Sequence, residues 1–278
     1  MKNASLSDRM KRYEDVSRIY LTRRSPLIIR IDGKAFHTFT KGLKKPFDDI
    51  LMYVMQETAK YLCKNISGVK VAYVQSDEIS LLVTDYDTLE TQAWFDNNLQ
   101  KIVSVSASIA TLAFNKLWKD VVDGEINAAG ADFSPLTLAE SNYLETIAEK
   151  NFKAMFDSRA FILPKEEVCN YFIWRQQDAI RNSINSLAQT VFTYKQLEGL
   201  NTEEMQIKLA LEKNIKWNAL PTDCRNGACV YYQRKPISID NKEIKVEEFG
   251  WVVDKNIPLF TKDRDYIERF VFCSGRVT

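Results

Sequence analysis

The chain has 278 residues, 45% of them hydrophobic and 27% charged, with a net charge of +1. That balance belongs to a soluble globular protein of one large domain or a domain with an appendage, and it excludes a uniformly basic nucleic-acid coat, although not a local basic groove. No uncharged apolar run is long enough to cross a bilayer, and Met1–Ser5 opens without a signal-peptide core, so a cytoplasmic, membrane-free protein is expected.

Residues 5–20 read as a helix, with Ser5-Leu6-Ser7-Asp8 as a possible cap. A strand follows over 26–32. The stretch from Gly33 to Asp49 is rich in lysines and aromatics. Apolar spacing of three and four (Ile50, Leu51, Val54, Met55, Ala59, Leu62) predicts a helix over 49–64. Runs at 69–76 and 79–84 form a hairpin with Asp77-Glu78 at its turn. Residues 93–117 read as a helix whose small residues, Ser104 to Ser108, suit tight packing on a sheet. Another strand, 160–163, ends at Pro164. The order βαββαβ over 26–164, interrupted by an insertion near 119–154, is the ferredoxin-like split pattern seen in the palm of polymerases and nucleotidyl cyclases. The expected class is therefore α+β: a palm-like catalytic region over 1–164, and a C-terminal region over 165–278 packed on it. That second region is helical over 165–215 and forms short strands over 228–252.

Two acidic clusters lie at the ends of apolar strands, Asp32-Gly33 after Leu27–Ile31 and Asp77-Glu78 after Val69–Val74. A carboxylate there is costly unless water, a cation or a ligand faces it. Side by side, the two edges suit a pair of Mg2+ ions that clamp the attacking and leaving oxygens of a phosphoryl or nucleotidyl transfer. An Asp-Gly turn and two solvated acids in a hairpin remain the plain alternatives. Lys34, Phe36 and His37 add a cation, a stacking face and a polar ring beside Asp32. Adjacent side chains of an extended segment point to opposite faces, which favours Asp77 as the ligand with Glu78 behind it. Ser76 offers a hydroxyl to a metal-bound water or a phosphate. Arg175, Asp178, Asn182 and Asn185 recur at three- and four-residue steps, giving either a solvated helix face or a polar stripe toward RNA or a second nucleotide. Five cysteines at 63, 169, 224, 229 and 273 have no neighbouring histidine, so reduced thiols are expected rather than a zinc site. His37 is the single histidine, which rules out a two-histidine mechanism.

Five blocks carry a resemblance: Arg30–His37, Lys45-Pro46, Gln75–Ser80, Phe156–Arg159 and Tyr171–Asp178. In this order they resemble the tRNA(His) guanylyltransferase superfamily, whose members add nucleotides to tRNA 5′ ends in the 3′-to-5′ direction. Asn226–Lys235 is a weaker echo of that family's terminal strand. Eukaryotic members carry His-Ile-Asn-Asn-Leu-Tyr-Asn where this chain has Ile180-Arg181-Asn182-Ser183-Ile184-Asn185-Ser186. This departure resembles the bacterial and archaeal Thg1-like branch of template-dependent repair polymerases.

The resemblance implies a palm fold, a homotetramer, and tRNA and nucleotides as partners. ATP activates the 5′ end, and GTP or another NTP is added. It places two Mg2+ ions on Asp32, Asp77 and the Gly33 carbonyl, with Glu78 beside them as part of the catalytic set. It places a triphosphate on the amides of 33–37 (Lys34, Ala35, Phe36 and His37 among them) and on Lys45 and Lys101, with Ser76 near the activating nucleotide. Arg175, Asp178 and Asn182 are assigned to tRNA. Non-templated guanylyl addition, a palm-fold nucleotidyl cyclase and a non-catalytic RNA-binding module are the alternatives. The acidic pair argues against the last, because a binding module gains nothing from negative charge where RNA must sit.

Overall fold

In the computed structural model, which describes residues 5–131, 136–239 and 242–272, the strands are β1 (Leu27–Gly33), β2 (Val69–Gln75), β3 (Glu78–Val83), β4 (Phe156–Ile162), β5 (Ala228–Ile239) and β6 (Lys242–Asp254). They form one antiparallel sheet in the order β4-β1-β3-β2-β5-β6. The first four follow the ferredoxin-like order, which establishes the α+β class. Both faces are covered, which explains why β1 and β3 read as near-continuous apolar runs rather than alternating ones.

The helices are α1 (Leu6–Asp15), α2 (Phe36–Phe39), α3 (Asp49–Asn65), α4 (Leu99–Ala131), α5 (Leu138–Ala148), α6 (Lys165–Val191), α7 (Tyr194–Leu197), α8 (Thr202–Lys213), α9 (Thr222–Asn226) and α10 (Asp265–Phe272). On one face of the sheet α3 and α4 enclose Ile29, Ile31, Leu81, Val54, Phe114 and Trp118. On the other, α6 and α10 pack Phe172 and Ile267 against Ile28, Tyr73 and Leu82. A third cluster gathers α7 and α8 on the C-terminal half of α6.

The strand at 26–32, the helix at 49–64 and the hairpin match β1, α3 and β2–β3 to within two residues. The helix expected over 93–117 instead runs from Leu99 to Ala131, because residues 94–97 form a tight turn with Phe95 and Asp96 at positive φ. Its small residues do press on the sheet: the Ser106 hydroxyl donates to Ser158 Oγ on β4 at 2.8 Å. The strand foreseen at 160–163 begins four residues earlier, at Phe156. The short strands foreseen over 228–252 are two long ones that extend the sheet beyond β2. Cys63, Cys169, Cys224 and Cys229 are free thiols, and Cys273 lies outside the described residues.

Candidate functional site

Alternation along β1 puts Arg30 and Asp32 on the α6 side of the sheet with Ile28, and along β3 it puts Glu78 and Ser80 there with Leu82. The antiparallel register sets Asp32 opposite Glu78 on one side and Asp157 on the other. Ser76 and Asp77 form a two-residue turn between β2 and β3, with Ser76 in the left-handed region at φ 49°. That turn is pinned to β1 by the Gly33 amide, which donates to the Asp77 carbonyl at 3.0 Å. The two sequence clusters are thus brought together.

Burial pushes the Asp77 carboxyl above the ordinary carboxylate range, and the charges of Asp32 and Glu78 push it the same way. Its own backbone hydrogen bond and the Ser76 hydroxyl, 3.1 Å from Asp77 Oδ1, act in the opposite sense. A carboxylate that resists ionisation beside another is a natural seat for a cation. Among the described residues no three His, Cys, Asp or Glu side chains converge on one point. Two carboxylates and a backbone carbonyl suit Mg2+, which keeps waters and takes its remaining ligands from a phosphate.

Glu78 is held differently. Arg175 donates from Nε and Nη2 to its two oxygens, both at 2.8 Å, and both side chains are 8% exposed. The same guanidinium donates to Asp178 at 2.9 Å and lies 4.4 Å from the Trp174 ring centre. Asp178 also accepts from Arg181 and, at 3.4 Å, from Asn182. The sequence reading that sends Arg175 toward RNA is therefore corrected, because its side of α6 is the one that lies on the sheet with Tyr171, Phe172 and Ala179. Periodicity shows that residues share a face, but not which face is buried. Asp178 sits at the edge, and Asn182 is exposed.

The segment after β1 also differs in part. A Cβ on Gly33 would lie 2.3 Å from the Phe36 ring, so only glycine lets that ring tuck under the strand. Phe36 is 4% exposed and packs on Phe39, Phe114 and Phe156, which removes it as a stacking face for a base. The amides of Gly33 and Lys34 are spent on the carbonyls of Asp77 and Met155, leaving Ala35, Phe36 and His37 of the expected cradle. Ala35 is left-handed at φ 54°, and the side chains of Lys34 and His37 are exposed.

Beside the turn a cavity of about 330 Å³ opens between α3, α6 and the start of β5, and Lys45, Ser76 and Asn182 all line it. Its wall is fixed by buried Asp48, which accepts from the Lys44 amide, the Leu51 amide and the Tyr143 hydroxyl. Lys101 is not brought here. Thr111 of α4 accepts the Phe156 amide at the level of Gly33, and Lys101 lies ten residues earlier, roughly 15 Å back along the helix and on the other face of the sheet.

Sequence reasoning missed one pair. Arg30 and Arg159 face each other across β1 and β4, one position from the facing pair Ile31 and Ser158 and two from Asp32 and Asp157. Among the described residues Arg30 Nε is buried with no partner, and Arg159 reaches Asp157 only at 3.6 Å. Like charges directly opposite are unfavourable unless an anion joins them. The available signal was that each Arg lies two residues from an acid on an extended strand.

The family model for tRNA(His) guanylyltransferase (Thg1) matches residues 7–164. The chain belongs to that family. A bacterial Thg1-like protein solved with ATP aligns over 96% of this chain and 99% of its own at 47% identity, with a TM-score of 0.79. A bacterial Thg1-like protein solved with GTP gives 44% identity and a TM-score of 0.75, over 97% of this chain and 100% of that one. A probable tRNA(His) guanylyltransferase of Dictyostelium discoideum is 27% identical over 78% of each chain. The protein is accordingly a nucleotidyltransferase of the tRNA(His) guanylyltransferase type. Among the described residues no helix is long and apolar enough to cross a membrane.

Two measurements check the site. Arg175→Met strands the buried Glu78 charge and should lower unfolding free energy by about 3 kcal/mol, and adding Glu78→Gln should restore part of it. In urea titrations, no recovery in the double variant means that the pair is not the cause. The raised Asp77 carboxyl makes ionisation a penalty that is absent at low pH and appears as pH rises through the carboxylate range. In metal-free buffer Asp77→Asn should therefore raise the thermal midpoint at neutral pH and leave it unchanged near pH ~3.

Proposed function

We propose that the protein is a template-dependent 3′-to-5′ nucleotidyltransferase that extends the 5′ end of truncated tRNA after activation by ATP. The observation that carries this reading is the Gly33–Asp77 hydrogen bond, which holds the Ser76-Asp77 turn against the end of β1 that carries Asp32, while Ser76 of the same turn lines a cavity with Lys45. In the first step an oxygen of the RNA 5′-monophosphate attacks the α-phosphorus of ATP, and pyrophosphate leaves. In the second, the 3′-hydroxyl of the incoming NTP attacks the activated 5′ phosphorus, and AMP leaves with the anhydride electrons.

Asp32, Asp77 and the Gly33 carbonyl would hold Mg2+. When bound, it lowers the hydroxyl's pKa and offsets the charge that develops on the phosphate oxygens. Glu78, clamped by Arg175, keeps the turn that carries Asp77 in place. Lys45 and the amides of Ala35, Phe36 and His37 are placed to meet phosphate oxygens, and Ser76 to meet the activating nucleotide. Arg30 and Arg159 form an anion seat on the same face as Asp32, suited to the RNA 5′ phosphate. Asn182 borders the cavity, and Asp178 orients it. The same reading has the enzyme cytoplasmic and homotetrameric, to be checked by light scattering for the assembly.

Template dependence is supported by the stretch over 180–186. Ile180 packs on the apolar cluster with α7 and α8, where it offers no polar group to an unpaired nucleotide. Watson–Crick pairing would then be what aims the incoming 3′-hydroxyl, and in-line positioning is worth several kcal/mol.

Asp32→Ala and Asp77→Ala should each lower the rate of addition more than about 100-fold, a barrier increase of about 2.7 kcal/mol, with an unchanged circular dichroism spectrum. A loss of under about tenfold in either variant removes the metal assignment. The template test uses tRNAs that lack the first 5′ nucleotide and differ in the base it would pair with. The added nucleotide should follow that base. Addition of G at equal rates opposite all bases would instead establish a dedicated guanylyltransferase, and a cyclic product from NTP alone would establish a cyclase.

A further inference from the structure

Phe152 is 68% exposed and sits at φ 60°, a region that bulky residues rarely adopt. It forms one wall of an open groove of about 540 Å³ between α4 and the α5–β4 connector. The opposite wall is Ala107, Ser108, Thr111, Leu112 and Lys116, with Leu112 64% exposed. Lys150 and Lys153 flank Phe152 in sequence, and Lys34 is tied to the same connector through its amide bond to the Met155 carbonyl at 2.8 Å. Among the described residues Lys116 and Lys153 have no ion pair, whereas Lys60, Lys70, Lys119 and Lys208 each hold a carboxylate, and Lys150 donates to the Lys41 carbonyl at 2.8 Å and lies 5.6 Å from the Phe39 ring centre. The acid nearest in the chain is Glu149, which acts on Lys150 less strongly than burial and Lys153 do.

The groove lies at the same end of the sheet as the acidic centre, on the opposite face and reached around the edge strand β4. Phe156, in its lining, pairs with Gly33, so Asp32 lies one residue further along β1 on the other side of the sheet. An exposed aromatic beside apolar walls, with Lys116 in the wall and Lys153 next to Phe152 in the chain, matches the stacking platform and electrostatic track that hold unpaired nucleotides. A duplex hides its base faces and gains little from Phe152. A second copy meeting this face isologously would bring two sets of Lys116 and Lys153 into one interface. The 5′ end of a tRNA and its unpaired 3′ tail leave the same end of one stem, so a tail must pass close to whatever holds the 5′ phosphate.

We infer that the groove between α4 and the 149–156 connector binds the single-stranded 3′ tail of the RNA, with Phe152 stacking on a base and Lys116 and Lys153 meeting its phosphates. This rests on the proposal that the 5′ end of tRNA is the substrate. The site guides RNA and takes no part in bond making, so Phe152→Ala should leave the KM for NTP unchanged.

The test measures steady-state addition on truncated tRNA with and without its 3′ tail, together with binding of a fluorescein-labelled single-stranded oligoribonucleotide. Wild type should prefer the tailed RNA. Phe152→Ala should raise KM for it about tenfold and abolish the preference, while weakening oligonucleotide binding to a similar degree. Lys116→Ala with Lys153→Ala should flatten the salt dependence of that binding. Equal KM values for wild type and Phe152→Ala on the tailed RNA would overturn the assignment. So would a fall in assembly mass on light scattering, which would make this face a protein contact. If wild type extended no tRNA while Phe152→Ala still lost oligonucleotide binding, the groove would stand and the proposed function would fall.

Discussion

The centre of this molecule depends on the antiparallel register between β1 and β3 and on one backbone hydrogen bond that completes it. Register places Asp32 level with Glu78, and the Gly33 amide then draws the Ser76-Asp77 turn against the end of β1. A slip of one residue would send Asp32 to the α3–α4 face, among Ile29, Ile31 and Phe114. The apolar alternation that fills the two cores is therefore also what delivers the carboxylates to one spot. Burial energy sets the register, and the register sets the chemistry.

Two charged groups at that spot are handled in opposite ways. Glu78 is neutralised internally by a buried bidentate arginine, an arrangement that specifies geometry more than it stabilises. Among the described residues Asp77 has no such partner, and burial together with the charge of Asp32 raises its carboxyl. Arg175, the buried cation among the described residues, is thus spent on the acid that must stay still, and the other pair is left open to an external one. Across the same sheet edge Arg30 and Arg159 repeat the theme with reversed sign, two facing cations that, among the described residues, share only the Asp157 carboxylate, 3.6 Å from Arg159. A net charge of +1 conceals this local separation.

Much of the fold was legible because local signals and packing agree. The acids at strand ends, the three-and-four spacing of α3 and the breaks at Gly33 and Pro164 all survive in the structure. What failed did so for physical reasons. Helix α4 continues past 117 because Trp118 and Val122 stay buried, Trp118 donating to the Ile147 carbonyl of α5, a contact that no pattern within α4 announces. Phe36 looked like a stacking surface because sequence gives its type and neighbours but not the space beneath Gly33 that accepts its ring. Arg175 looked solvated because a helical stripe has no sign until something packs on it.

By itself the sequence determined the class of sheet, its strand order up to β4, the two acidic clusters and the family resemblance, since these rest on residue type, period two or 3.6, and chain order. Only the tertiary structure decided which partners those residues meet. It set Glu78 on Arg175, removed Lys101 from the acidic centre, gathered Lys45, Ser76 and Asn182 around one cavity, and placed Arg30 beside Arg159. Each of these pairings joins segments far apart in the chain, and all but Arg30 with Arg159 do so through helix or loop placement on the sheet. The arginines face each other through β1–β4 register, which no local pattern states. Such contacts follow from how the whole core closes, and the closing of a core is not written in any single stretch.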